Sequence, residues 1–313
     1  MSYPGNYSEI IQHELFVKSG LLQLWTESFG DISNSPILLI FGSGGQGIMW
    51  PDNFCHKLAQ SGFFVIRYDH RDTGLSSIVN YDTSPYNLDD LTKDAIAILD
   101  AYKINKAHIV GASMGGFIGQ LLAINYPNRI ASLTSIASSP CKAILPSEYD
   151  EFIDQSTLPK PTKELLDFFI NESTQEPVAN LNDYIEKEKR LLHACNAGGE
   201  DFDEEIIYTQ AKNTFARIKS LSDLAAVENH SHAIKASIDR TSDLKKIIVP
   251  TIVIHGDKDP LLPLEHGIAT AKNIPNSKLI MIENMGHIFP FKRCNYIVEL
   301  IAKHIIEANN SNN

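Results

Sequence analysis

The sequence has no apolar run long enough to cross a bilayer. Its 313 residues include no stretch of about 18 consecutive apolar residues, the length that a spanning helix requires. The N-terminal stretch MSYPGNYSEIIQHELF also lacks the basic and apolar segments of a secretory signal. We therefore expect no membrane partner and a cytoplasmic location.

Basic residues and cysteines are both scarce. There are 27 Lys and Arg residues against 38 Asp and Glu, which gives a formal net charge of −11. An acidic surface repels phosphate backbones, so nucleic acid is not an expected partner. The few cysteines lie far apart with no C-x-x-C spacing, which argues against zinc and for reduced, buried thiols; they are Cys55, Cys141, Cys195 and Cys294.

What the sequence does contain is an alternation of apolar strand runs and helical patterns. Hydrophobic residues make up 43% of the chain and charged residues 21%, as in ordinary globular proteins. Strand runs separated by helical stretches predict an α/β fold, with a mainly parallel sheet and helices on both faces. The predicted early strands are QHELFV, LLQLWTES, PILLIF, FFVIRYD, KAHIVGAS and IASLTSIAS.

Residues 141–240 differ from the segments on either side. Apolar strand runs give way to helical patterns such as TKELLDFFINE, LNDYIEKEKRLLHAC and DEEIIYTQAKNTFARI. Strand and helix alternation then returns with IIVPTIVIHGD and SKLIMIE. We predict a helical insertion at 141–240, after the sixth strand, within an α/β domain made of residues 1–140 and 241–313.

The stretch HIVGASMGGFIGQLLA places one serine among glycines, between a strand and a helix. Ser113 fits G-x-S-x-G in the strand-turn-helix context of a nucleophile elbow. Small residues at Gly111 and Gly115 relieve the tight turn, and the backbone N–H of Met114 can face an oxyanion at the helix start. The alternative is a glycine-rich turn that holds a serine by chance.

A serine nucleophile needs a base and a carboxylate that orients the base. Asp257 and Asp259 follow the strand in VIHGDKDPLLP, and His287 follows the strand in LIMIENMGHIFP. Both loops leave the carboxyl ends of predicted parallel strands, where catalytic groups collect. The order serine, acid, histidine is that of hydrolases with a nucleophile elbow, and the residues alone leave open which aspartate serves.

Two other motifs admit competing interpretations. GSGGQG at 42–47 matches G-x-G-x-x-G, and Asp69 ends the next strand, as in a dinucleotide site. That interpretation needs the loop after the first strand and leaves Ser113, Asp259 and His287 unexplained. NHSHA at 229–233 has His-x-His spacing, but on a helix this directs the rings to different faces, so we predict no metal site.

The chain resembles the α/β-hydrolase superfamily, and specifically the aclacinomycin methylesterase group. The likeness lies in LWTESFGD, WPDNF, VIRYDHRDTGLSS, DLTKDAIAILDAYKINKAHIVGASMGG and VPTIVIHGDKDPLLPLEHG with NMGH. The family pattern H-G-x-x-D implies that Asp259 is the acid of a triad with Ser113 and His287. The insertion stands where this family has a helical cap, and no metal or organic cofactor is implied.

The resemblance also assigns the second oxyanion donor. Family members often carry H-G-x after the third strand, with the backbone N–H of x as donor. Here Phe41 stands in place of the histidine and Ser43 is x, so we expect Ser43 and Met114 to form the oxyanion hole. In the same family RYDHRDTGLSS is a structural turn, which implies that Arg71 and Asp72 make buried polar contacts.

A serine nucleophile with a histidine base favours acyl transfer from a small-molecule carboxylic ester to water. Another serine hydrolase, such as an aminopeptidase or a carbon–carbon bond hydrolase, and a non-catalytic receptor on the same fold are the alternatives. We predict a pocket bordered by Gly42 and Gly44 of the glycine-rich loop and by Phe169 and Tyr208 of the cap. The cap also supplies the aromatic residues Phe168, Tyr184 and Phe215. The sequence decides neither the ester nor whether the protein is a monomer or a homodimer.

Overall fold

The computed structural model describes residues 12–141, 158–197, 203–288 and 291–311. Over these ranges, strands and helices alternate as predicted. The strands are β1 Gln12–Ser19, β2 Leu22–Phe29, β3 Ser35–Ile40, β4 Phe63–Tyr68, β5 Ala107–Ala112, β6 Ile130–Ile136, β7 Thr251–Gly256 and β8 Lys278–Ile282. The α-helices are α1 Asp52–Gln60, α2 Leu88–Ala101, α3 Met114–Asn125, α4 Lys163–Ser173, α5 Leu181–Asn196, α6 Glu204–Ala216, α7 Asp223–Ala226, α8 Asn229–Ala236, α9 Leu264–Asn273 and α10 Cys294–Ser311.

The strands form one sheet in the order β1-β2-β4-β3-β5-β6-β7-β8. β2 pairs antiparallel with both β1 and β4, and every other pairing is parallel. The predicted mainly parallel sheet is therefore confirmed. The carboxyl ends of the parallel strands meet at one edge, so the loops after β3, β5, β7 and β8 come together there.

Strand β3 shows why the sheet carries helices on both faces. Its four apolar residues from Ile37 to Ile40 are fully buried. Because side chains alternate along a strand, Leu38 and Ile40 pack into the core beneath α2 and α3, whereas Ile37 and Leu39 pack into the core beneath α1 and α10. A strand covered on both sides has to be apolar throughout, which explains the unbroken run in the sequence.

Helices α4 to α8 lie between β6 and β7 in the described part of the chain. The three predicted helical patterns correspond to α4, α5 and α6, and the short α7 and α8 were not separated in the prediction. Their apolar faces form two small cores, one around Leu165 and Cys195 and one around Tyr184 and Ile185. We call α4 to α8 the cap. The exact limits at 141–240 stay a prediction.

Two further observations concern the whole described chain. The four cysteines are buried and form no disulfide. Among the helices that the structure describes, none combines the length and the apolar character needed to cross a membrane.

Candidate active site

Ser113 occupies the junction between β5 and α3 in a backbone conformation that side chains rarely adopt. Its φ is 52° and its ψ is −119°. The surrounding glycines make this turn possible because the backbone passes too close for a side chain at either position. A Cβ on Gly111 would lie 2.1 Å from the Gly115 carbonyl oxygen, and one on Gly115 would lie 2.0 Å from the Ile40 carbonyl oxygen. Neither position tolerates a side chain, so the glycines let β5, α3 and β3 converge behind the serine. Strain of this kind persists only where the surroundings enforce it.

His287 and Asp259 complete a hydrogen-bonded chain with this serine. The His287 Nε2 atom lies 3.1 Å from the Ser113 Oγ atom, and the His287 Nδ1 atom lies 2.8 Å from an Asp259 carboxylate oxygen. A carboxylate only accepts, so Nδ1 carries a proton, and in the neutral ring Nε2 then faces the hydroxyl with a lone pair. The three residues come from loops after three different strands, and the structure brings them together as the sequence predicted.

The Asp259 carboxylate is buried and fully hydrogen-bonded. Its other oxygen accepts the backbone N–H groups of Leu261 at 2.9 Å and Leu262 at 2.8 Å. Burial alone would raise the pKa of Asp259, but the adjacent His287, with its hydrogen bond, and then His255 hold that pKa below its usual value. The Asp259 carboxylate is therefore ionised and fixed in orientation, as a carboxylate that orients a histidine must be.

Asp257 has a different place. Its carboxylate accepts the backbone N–H of Asn284 at 2.7 Å, so it braces the start of the loop that carries His287. Sequence reasoning did not identify His255, whose Nε2 atom lies 3.5 Å from the Asp259 carboxylate and 2.7 Å from the Leu262 carbonyl oxygen. The ring thereby supports the turn that presents Asp259, and its position in IHGDKD was the available signal.

The glycine-rich loop at residues 41–47 passes directly beside the serine. A Cβ on Gly42 would lie 3.2 Å from the Ser113 Cβ and 3.7 Å from its Oγ. Among the described residues, no protein group accepts a hydrogen bond from the backbone N–H of Ser43 or from that of Met114. Both predicted oxyanion donors are thus available, and Met114 begins α3, where the helix dipole favours a negative charge.

The dinucleotide interpretation of this loop does not fit the structure. The loop follows β3 rather than the first strand. The Asp69 carboxylate, which would have to bind a ribose, accepts the backbone N–H groups of Gly47 at 2.7 Å and Leu75 at 2.8 Å. It also pairs with Arg217 at 2.6 Å. Asp69 is a buried anchor for the loop.

The charged residues of RYDHRDTGLSS make buried structural contacts, as predicted. Arg71 pairs with Asp94 through two hydrogen bonds of 2.7 Å. Asp72 accepts from the Tyr86 hydroxyl at 2.6 Å and from the Asn229 amide at 3.1 Å. These side chains hold the segment after β4 against α2 and the cap.

The two histidines of NHSHA diverge, as the helical spacing predicted. His230 is fully buried, whereas His232 is exposed and packs beside Tyr81 with ring centroids 5.3 Å apart. The Nδ1 atom of His230 accepts the backbone N–H of Gly44 at 2.9 Å.

The two aromatic residues predicted to border a pocket lie in different environments. Phe169 packs in the small core that also holds Cys195 and Ile288, directly after His287. Tyr208 is 45% exposed on the outer side of α6. The cleft beside Gly44 is instead lined from the cap by Tyr184, Thr214, Ile218, Asp223, Leu224 and Val227. Of the four residues predicted to border a pocket, Gly44 lines this cleft, and Gly42, Phe169 and Tyr208 do not; the substrate pocket itself stays a prediction.

Two known proteins resemble this chain in sequence, and a solved structure resembles it in fold. The chain is 33% identical over 285 residues to the rhodomycin D methylesterase DauP of Streptomyces sp. strain C5, covering 90% of this chain and 94% of that protein. It is 31% identical over 291 residues to the rhodomycin D methylesterase DnrP of Streptomyces peucetius, with the same coverage. The structure of 2-hydroxy-6-oxo-6-phenylhexa-2,4-dienoate hydrolase from Rhodococcus sp. strain RHA1 superimposes with a TM-score of 0.73 at 19% identity, covering 94% of this chain and 99% of that one.

A family profile described as the alpha/beta hydrolase fold matches residues 35–293. That span runs from β3 through the serine turn and the cap to the loop of His287. On this match, and on relatives aligned along 90% of its length, the chain belongs to the α/β-hydrolase family.

Proposed function

We propose that the protein is a carboxylesterase-type serine hydrolase that cleaves its ester through an acyl-enzyme intermediate. The observation that carries the proposal is the hydrogen-bonded chain from Ser113 through His287 to Asp259, at 3.1 and 2.8 Å. A serine attacks a carbonyl carbon only when a base removes its proton, and a histidine serves as that base when a carboxylate fixes its tautomer.

In the acylation step, the Ser113 hydroxyl attacks the ester carbonyl and its proton passes to the Nε2 atom of His287. Asp259 stabilises the resulting imidazolium. The tetrahedral oxyanion accepts hydrogen bonds from the backbone N–H groups of Ser43 and Met114. The imidazolium then donates its proton to the alkoxide, which leaves as the alcohol and gives the acyl-serine.

In deacylation, a water molecule takes the place of the alcohol. His287 removes a proton from that water, the hydroxide attacks the acyl carbon, and the collapsing intermediate releases the carboxylic acid. Ser113 recovers its proton from His287. Every proton is accounted for by these side chains and water, so the reaction needs no metal or organic cofactor.

The relatives DauP and DnrP are described as methylesterases of rhodomycin D. That description supports a small-molecule methyl ester as the substrate class here. Methanol is a small leaving group, so selectivity has to come from recognition of the acid portion, which the cap and the glycine-rich loop border.

The test combines an ester panel with a serine probe. Esters that share one acid and differ in the alcohol, together with the matching amide, are incubated with wild type and with Ser113→Ala. We expect ester turnover without amide turnover, and a loss of about 10⁴-fold or more in the variant, the scale of deleting a triad nucleophile. A fluorophosphonate should label Ser113 in the wild type. Turnover near the wild-type rate in a natively folded Ser113→Ala variant would exclude the proposal.

A further inference from the structure

The glycine-rich loop is built around one tight turn. The Gly45 N–H donates to the Gly42 carbonyl oxygen at 3.2 Å, and Gly44, the third residue of the turn, has a φ of +72°. A positive φ at the third position is the property of a type II turn, which differs from a type I turn by a flip of the central peptide. The central peptide here joins Ser43 to Gly44, whereas the Ser43 N–H belongs to the preceding peptide. Anchoring the Gly44 N–H therefore acts on the Ser43 N–H by fixing the position of the Ser43 Cα, which the two peptides share.

A cap histidine holds this central peptide. The Nδ1 atom of His230, on α8, accepts the Gly44 N–H at 2.9 Å, and its Nε2 atom lies 2.8 Å from the Arg71 carbonyl oxygen. A backbone N–H only donates and a carbonyl only accepts. The ring must therefore be neutral, with its proton on Nε2 and a lone pair on Nδ1. His230 is fully buried, so water does not replace these bonds.

The far end of the loop is tied to the cap as well. The Gln46 amide donates to the Thr214 carbonyl oxygen at 3.0 Å and accepts from Arg217 at 2.9 Å. Arg217 also pairs with Asp69 at 2.6 Å, and Asp69 accepts the Gly47 N–H. The guanidinium lies over the Trp25 ring, 3.9 Å from its centroid. Cap groups thus hold both the central peptide of the turn and the segment that follows it.

The sheet domain contributes less to the central peptide. His70 Nε2 lies 3.1 Å from the Phe41 carbonyl oxygen, which fixes the residue before the turn. Among the described residues, the bond from the Gly44 N–H goes to His230 on the cap. Without that acceptor, the Ser43–Gly44 peptide would lose the partner that favours its present orientation over the flipped one.

We propose that the cap assembles part of the oxyanion hole, with His230 as a positioning residue that aligns the Ser43 N–H by holding Gly44. This inference rests on the proposed function, because it assumes that Ser43 stabilises an oxyanion. His230 itself touches no reacting atom. Burial lowers the pKa of His230, which keeps the Nδ1 lone pair available to Gly44.

Four substitutions of His230 test its hydrogen bonds to Gly44 and to Arg71 separately. His230→Asn places an amide oxygen near the present Nδ1 and can still accept from Gly44. His230→Gln reaches toward the Arg71 carbonyl instead, and His230→Ala and His230→Phe remove both bonds. His232→Asn, on the exposed face of the same helix, is the matched control. Each protein is checked by circular dichroism and thermal melting before assay.

The kinetic readout distinguishes positioning from general stability. A misaligned oxyanion donor weakens binding of the transition state and leaves binding of the substrate nearly unchanged. We expect His230→Gln, His230→Ala and His230→Phe to lower kcat by about 10- to 100-fold with KM changed less than about threefold, since removing an oxyanion donor outright costs about 10²- to 10³-fold. His230→Asn should retain kcat within about fivefold, and His232→Asn within about twofold.

A trifluoromethyl ketone gives an independent measurement. It adds to the active serine and forms a hemiketal oxyanion, so its inhibition constant should rise in parallel with the fall in kcat. If the Asn and Gln variants are natively folded and have equal kcat, or if kcat falls while the inhibition constant does not, the positioning role is wrong. If the Ala or Phe variant fails to fold, the comparison of the Asn and Gln variants still tests the positioning role of His230.

The same assay keeps the two proposals apart. Ser113→Ala measured alongside must be inactive for the proposed function to stand. If it is inactive while all His230 variants turn over as the wild type does, the positioning proposal alone fails. If Ser113→Ala is active, the proposed function fails, and the positioning proposal, which rests on it, fails too.

Discussion

The sheet domain and the cap differ sharply in how deeply they bury their helices. In α3, nine of the 12 residues are buried, because the helix is enclosed between the sheet and neighbouring helices. In α5, only four of the 16 residues are buried. Many contacts on all sides fix an enclosed helix such as α3. A helix such as α5, which buries one narrow face, is held by few contacts. The sheet domain can therefore keep Ser113 in a strained conformation, which a loosely packed element could not.

Two ion pairs, one from each region, show the same contrast in burial. Arg71 and Asp94, in the sheet domain, are largely buried, with side-chain exposures of 12% and 1%. Arg190 and Glu172, between α5 and α4, are exposed at 47% and 16%. Exposed pairs contribute little to stability, so the cap depends mostly on its two small apolar cores. It is the region that can change its sequence, or move, at the least cost in free energy.

Buried contacts between the cap and the sheet domain nevertheless reach the site from both sides. The Cys195 carbonyl, at the end of α5, accepts the backbone N–H of His287 at 2.8 Å. On the other side, His230 and Arg217 hold the glycine-rich loop. The sheet domain therefore carries Ser113, Asp259 and His287, and the cap supports the loops that carry His287 and Ser43.

The largest effect that tests this division belongs to the acid. We expect Asp259→Asn to lower kcat by about 10³- to 10⁴-fold, because the amide no longer fixes the His287 tautomer or stabilises the imidazolium. Asp257→Asn should cost less than about tenfold, since the one hydrogen bond that its carboxylate accepts from the described residues comes from the Asn284 N–H. Steady-state kinetics on both variants, with thermal melts as the fold control, checks the pair. The reverse order would place the acid at Asp257, and equal losses would contradict its assignment to Asp259.

Sequence reasoning succeeded where the signal is local. Ser113 lies in a contiguous motif whose glycines are required by backbone contacts at 2.0 and 2.1 Å, and β3 shows its double burial as an unbroken apolar run. The choice of Asp259 over Asp257 needed a family pattern, because both follow the same strand and both carry a carboxylate. Nothing in the local residues separates them.

The cap contacts could not be predicted, for a physical reason. His230 meets Gly44 across 186 positions of the chain, and Arg217 meets Gln46 across 171. No periodicity reports which face of an amphipathic helix turns toward a distant loop. The same limit explains the predicted pocket aromatics: Phe169 and Tyr208 look alike in sequence, but helix rotation packs one near His287 and exposes the other.

A smaller effect should separate these two aromatics. We expect Phe169→Ala to change the ratio of kcat/KM between a small and a bulky ester by about tenfold, because it removes apolar contact from the small core that packs Ile288 beside His287. Tyr208→Ala, on the exposed side of α6, should leave that ratio within about twofold. Competition assays with paired esters measure the ratio directly. A larger shift in the Tyr208 variant would mean that the cap presents its outer face to the substrate.

The smallest effect concerns the stability of the cap. Burial raises the pKa of Glu188, on α5, to about 7, against the opposing effects of Lys187 and a hydrogen bond from the Tyr184 hydroxyl. A carboxyl group whose folded pKa exceeds its unfolded value of 4.5 favours the folded state at low pH. That contribution is complete below the unfolded pKa and is lost as the pH rises through about 7.

Glu188→Gln removes this dependence, because the amide stays neutral at every pH. The full difference between 4.5 and about 7 would correspond to about 3 kcal/mol at about pH 8. Because Glu188 is partly exposed and solvent screens its charge, we expect the variant to gain about 1 kcal/mol in free energy of unfolding over wild type at that pH, and little at about pH 5. Glu186→Gln, an exposed position on the same helix, is the control and should give the same difference at both pH values. Thermal melts across this range provide the measurement. If the gain in free energy of unfolding for Glu188→Gln were equal at about pH 5 and about pH 8, Glu188 would not titrate between these values. The stability of the cap would then not depend on the ionisation of Glu188.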